Sequence, residues 1–327
     1  MRIQAVLIVL AAAGLLAACG GSETGSGGGG AGQTAANSPQ SAPKGNASAE
    51  EVAEEQRGDV DCPAEIKTPA RAEGAPVDDV VGVRPGMTYD EAANVVMCSN
   101  DLMVVSGPST SGFNIQTYGQ TLRQGFTARL AEPRVEKSSK QIMEEMQDDM
   151  MARSGNAVRY DLAPGQSKWT VTTMGMPGEE KVIAAGREEW FEAGKNPPIT
   201  SVRDALLKKY GPATLDQSNS GQLWLRWVFD PFGRLATETS PIYSSCAGTG
   251  AGGGVNLSPD CGVVVQAMAV PMPDNPALAR SMDVGVVDQA NGYQLVTATE
   301  QKLEQMEQAR RAQAVEDASK NADAPTL

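Results

Sequence analysis

The chain's 327 residues include 27 basic and 40 acidic side chains, no histidine and five cysteines, for a formal charge of −13. An acidic surface repels nucleic acid and anionic lipid headgroups, so nucleic acid is not an expected partner. Without histidine there is no Ser-His-Asp triad and no histidine-based metal site.

In chain order, Arg2 and the apolar run from Ile3 to Ala18 have the form of an export signal, shorter than the roughly 20 residues a spanning helix needs. The run ends Leu16-Ala17-Ala18-Cys19, which resembles a bacterial lipobox. The resemblance implies that residues 1–18 are a lipoprotein signal peptide and that Cys19 is lipidated, the membrane being a partner through that residue. Acyl chains contribute about 0.8 kcal/mol per buried methylene, so three chains give an essentially permanent anchor. Gly20 stands where a retention aspartate would, which implies the cell envelope, and the periplasmic leaflet of the outer membrane where the cell has one. Residues 19–58 are rich in Gly, Ser and Ala and read as a disordered leash. A flexible chain of that length spans roughly 30–40 Å.

Beyond Cys19 the cysteines are Cys62, Cys98, Cys246 and Cys261, an even number in an exported chain. Of the three possible connectivities, Cys62 with Cys98 and Cys246 with Cys261 keeps each bridge within one unit. The remaining chain reads as two α+β units, 59–195 and 196–296, of short helices packed on small antiparallel sheets, followed by a polar helix and tail over 297–327. In the first unit Thr88 and Glu91 form a capping box, with Ala92, Val95, Val96 and Ser99 on one face and Asn100 as the stop. The second places Ser201 and Asp204 at a helix start, Val202, Leu206 and Tyr210 inward, and Gly211-Pro212 as the stop. Alternation predicts strands at FNIQTY, FTARL, KWTVTTM, KVIAAGREEWF, LWLRWVF (Leu225, Trp227 and Phe229 inward), GVVVQAMAV and MDVGVV. A Met-rich helix is expected from Ser138 to Arg153, closed by Gly155, and the helix over 297–319 reads as solvated.

The stretch GVRPGMTYDEA resembles the helix start of small outer-membrane lipoproteins of the SmpA/OmlA (BamE-like) type and of the related β-lactamase-inhibitor-like fold; KYGPAT resembles the Gly-Pro exit from that helix. These resemblances imply a helical pair on a small antiparallel sheet and a place in envelope assembly. Gly86, Thr88 and Pro212 have structural tasks on that reading: approach, cap and stop.

No catalytic constellation is recognised, and no cofactor or metal is assigned. The glycine-rich stretch between Cys246 and Cys261 lacks the Lys-Ser/Thr of a phosphate loop and reads as a disulfide-closed loop. Met143, Met146 and Met150 share a helix face that reads as packed core, with a partner groove or a Cu(I) site as alternatives. The carboxylates at Asp90, at Glu144 to Asp149 and at Glu188 read as capping or solvated groups. Trp224 and Trp227 lie on opposite faces of one strand, and Trp224 beside Arg226 is the candidate binding surface. The expected function is a tethered, non-catalytic binding or scaffold module with an envelope protein as partner. A small-ligand or Cu(I)-binding lipoprotein and a carboxylate-dependent cell-wall hydrolase are the alternatives.

Overall fold

The computed structural model describes residues 45–58, 60, 62, 69–109, 112–154, 162–219, 221–246, 248 and 254–321, except for the side chains of 148–149 and 151–154. Cys19, Gly155 and the centre of the glycine-rich loop lie outside these residues.

The first helix, α1 (Ala49–Arg57), corrects the expected leash: Ser48 and Glu51 form a reciprocal capping box, and Val52 and Ala53 pack on Val104 and Ala131. Next, α2 (Tyr89–Met97) carries the predicted Thr88/Glu91 box and buries Ala92, Val95 and Val96. Then follow β1 (Met103–Pro108), β2 (Gly125–Leu130), α3 (Ser139–Ser154), β3 (Ser167–Met174) and β4 (Lys181–Trp190). The second half runs α4 (Ile199–Tyr210), β5 (Leu215–Asn219), β6 (Gln222–Val228), α5 (Pro241–Ser245), β7 (Val263–Pro271) and β8 (Ala279–Asp288), before the long α6 (Gln289–Asn321).

The fold is α+β and antiparallel throughout, but the two stretches share one sheet. The eight strands run β1-β2-β3-β4-β8-β7-β6-β5, so the last strand of each half meets the other at the centre. There Gly186 lies opposite Gly285. Both halves repeat one order, a helix and then four strands, with an extra helix between the second and third strands. The segment before each main helix also bridges onto the fourth strand of its own half: Thr88 pairs with Lys181, and Pro198 with Leu278 next to β8. Lys44–Leu327 accordingly forms one compact unit.

Strand alternation sends one set of side chains to each face. The first face, with Phe126, Trp169, Leu225, Trp227, Val265 and Val286, buries the apolar sides of α2 and α4. On the second face α6, α5 and nearby loops cover Val228, Val264 and Val287 at one end, and α1 covers Val104 at another. Four expectations change here. FNIQTY forms no strand; Phe113 and Ile115 pack as loop side chains on the second face. α4 begins at Ile199 with no side-chain cap, because Pro198 and Ile199 are already held against β8. α6 starts before 297 and docks through Gly292, Thr299 and Leu303, while its last turns are solvated. The methionine face of α3 is not core: Met143, Met146 and Met150 are 71%, 62% and 70% exposed. The disulfides are Cys62–Cys98 and Cys246–Cys261.

The turn before α2 is strained. Val80 and Val83 exchange backbone hydrogen bonds of 2.8 and 3.0 Å, and both residues between them have positive φ, 44° at Val81 and 86° at Gly82. Such two-residue turns favour Asn-Gly, and a β-branched residue there costs roughly 1–2 kcal/mol. Val81→Asn is therefore expected to raise the unfolding free energy by about 1 kcal/mol, read as a higher denaturant midpoint at unchanged slope.

Candidate functional site

The part of the second face that no described helix covers is built by register alone. A single row crosses the sheet: Arg129 opposite Lys168, Lys168 opposite Glu188, Glu188 opposite Asp283, Asp283 opposite Met268 and Met268 opposite Trp224. With strands about 4.8 Å apart, the row is about 24 Å long. The neighbouring row runs Thr127, Thr170, Gly186, Gly285, Gln266 and Arg226. Its glycine pair keeps the middle of the face low between charged and aromatic side chains.

Both predicted surface residues lie on this face. Trp224 is half-buried, whereas Trp227 is fully buried on the first face, where its indole Nε1 donates to the Gly211 carbonyl at 2.9 Å. Arg226 donates from Nη2 to Gln266 Oε1 at 3.1 Å; its guanidinium lies 6.0 Å from the Tyr243 ring, and its Nε is buried without a partner. Gln222 Nε2 donates to Met268 Sδ at 3.0 Å, fixing the thioether beside the indole. Arg129, Lys168, Met268 and Asp283 were missed in the sequence because what aligns them is strand pairing, which no local pattern encodes.

The predicted carboxylates are scattered. Asp90 accepts from Arg123 Nη1 at 2.7 Å, Glu91 closes the α2 cap, and Glu188 accepts from Trp190 Nε1 at 3.0 Å. Sequence reasoning overlooked Glu180, 2% exposed, which accepts from Arg123 Nη2 at 2.9 Å and from the Gly178 amide at 3.0 Å. Burial pushes the Glu180 carboxyl up, but the Arg123 hydrogen bond and charge outweigh it and hold the group below its ordinary range. Asp79, Glu91, Asp230 and Glu307 also shift downward. A general acid needs the opposite shift. These carboxylates act as ionised hydrogen-bond acceptors. Among the described residues no three Cys, Asp or Glu side chains gather as a metal site, and no described helix is long and apolar enough to cross a membrane.

The fold is that of an α+β protein whose second face carries a row of mixed aromatic and charged side chains. No protein-family model, curated protein or solved structure matches the chain.

Proposed function

We propose that the protein is a lipid-tethered, non-catalytic binding module of the cell envelope, anchored through Cys19 and holding a protein partner on the second face of its sheet. The observation that carries this reading is the half-buried row from Arg129 to Trp224, in which an indole, a thioether and charges of both signs share one surface that no described helix covers. Interfaces concentrate their affinity in such Trp and Arg anchors. The lipobox-like Leu16-Ala17-Ala18-Cys19 and the motifs resembling envelope-assembly lipoproteins support the same reading. The test is the double variant Trp224→Ala, Arg226→Ala. It is expected to remain folded, since both side chains are half-buried on a sheet face and belong to neither main core cluster, while losing the proteins that crosslink to the native chain in cells. Retention of the same partners contradicts the reading. Cys19→Ser is expected to release the chain from the membrane fraction.

The exposed thioethers of α3 favour a second reading, Cu(I) binding through Met143, Met146 and Met150. A Cu(I) competition titration with ascorbate present decides it: absence of a stoichiometric site removes this reading.

A further inference from the structure

The two main helices both pack on the first face, and a gap is left over the central strands between α4 and the turn that precedes α2. Its floor is Arg187 of β4 with Met282 and Val284 of β8; α4 supplies Val202, Ala205 and Leu206, and the strained Val80–Gly82 turn forms the facing lip. The cavity holds about 340 Å³. The facing wall is fastened to α4: Lys209 Nζ pairs with Asp79 Oδ2 at 2.8 Å, and the Tyr210 hydroxyl donates to the Asp79 carbonyl at 2.8 Å. The gap is therefore braced open. Val81 sits at its lip, 50% exposed, keeping an apolar side chain in a conformation that suits Asn or Gly. Strain of this kind persists where the surrounding structure holds it, and it clusters at ligand clamps.

We propose that this cavity binds a free medium-chain carboxylate, its aliphatic chain between α4 and Val81 and its head on Arg187. Ligand pockets of this kind are apolar with a few placed polar groups. The groove is open on one side and lies along the single helix α4, with room for one aliphatic chain of medium length. Arg187 makes an ion pair from Nη1 to Glu189 Oε2 at 2.9 Å, and the guanidinium fork offers further donors to a carboxylate. Lys209, held by Asp79, also stands at the rim. This site is on the face opposite Trp224 and is independent of the partner surface.

The test is calorimetric titration of decanoate into the full chain carrying Cys19→Ser, which has no acyl chains of its own. One saturable site is expected. Ala205→Phe, a change at an exposed helix position that fills the cavity, is expected to weaken binding about tenfold or more. Arg187→Met is expected to weaken decanoate while sparing decanol. Val81→Asn is expected to melt higher than the native chain yet bind decanoate less tightly, and it serves if Ala205→Phe fails to fold. Absence of saturable decanoate binding, or equal affinity in the native, Ala205→Phe and Val81→Asn chains, overturns the proposal.

Discussion

Trp227→Ala is expected to lower the unfolding free energy by about 3–5 kcal/mol, the range for removing a fully buried large aromatic side chain. Trp227 is 0% exposed, its ring centroid lies 5.1 Å from that of Tyr210, and its indole satisfies the Gly211 carbonyl just past α4. One side chain thus closes the core and fixes the end of a helix. Domains are stable by only about 5–15 kcal/mol, so the loss is a large part of the whole. Denaturant titration should show a lower midpoint, and amide exchange should accelerate in α4 before it does in α2. Trp227→Phe separates the two roles: it keeps most of the volume and loses the hydrogen bond, so a cost of about 1–3 kcal/mol is expected.

Arg123→Ala is the second large effect. Breaking a buried ion pair costs about 3–5 kcal/mol because a charge is left without compensation. Arg123 is 39% exposed, so screening reduces the expected cost to about 2–3 kcal/mol. The guanidinium also bridges Asp90 and lies 4.3 Å from the Tyr89 ring centroid, joining α2 to the loop before β4. The pH dependence has a definite sign. Glu180 has a folded-state pKa below its ordinary 4.5, so its stabilisation is present above that pH and fades as the pH falls through the folded value. The gap between native and Arg123→Ala chains should be widest near pH 7 and narrow as the pH falls below the ordinary carboxylate range and through the lowered folded-state value of the native chain. An unchanged gap at low pH would mean that the loss arises from packing on Tyr89.

Much of the local structure was legible in the sequence. The Thr88/Glu91 box predicted α2 because two neighbouring residues satisfy each other's backbone groups, and LWLRWVF predicted which side of β6 is buried. The even cysteine count, with each pair kept within one half of the chain, predicted both bridges. Long-range arrangement was not legible. That β4 and β8 join two halves into one sheet depends on pairing residues about a hundred positions apart, such as Gly186 with Gly285. Arg123 and Glu180 are separated by 57 positions. α1 was overlooked because Val52 is its one large apolar side chain and it directly follows the Gly/Ser/Ala-rich run, although the Ser48/Glu51 signal was present. The exposed methionines of α3 mark the opposite failure: helical spacing identified one face, but periodicity does not say whether anything covers it. The candidate surface was half legible, since alternation assigned Trp224 and Arg226 to one face, whereas the charged row beside them is a product of register.

The central claim is that the second face of the sheet is where a partner sits. The most direct measurement places a photocrosslinking amino acid at position 224 in the chain expressed in cells, and at the exposed Asp204 of α4 as the control. The account predicts a discrete protein adduct from position 224 that is absent from position 204. No adduct at 224, or the same adducts from both positions, would contradict it.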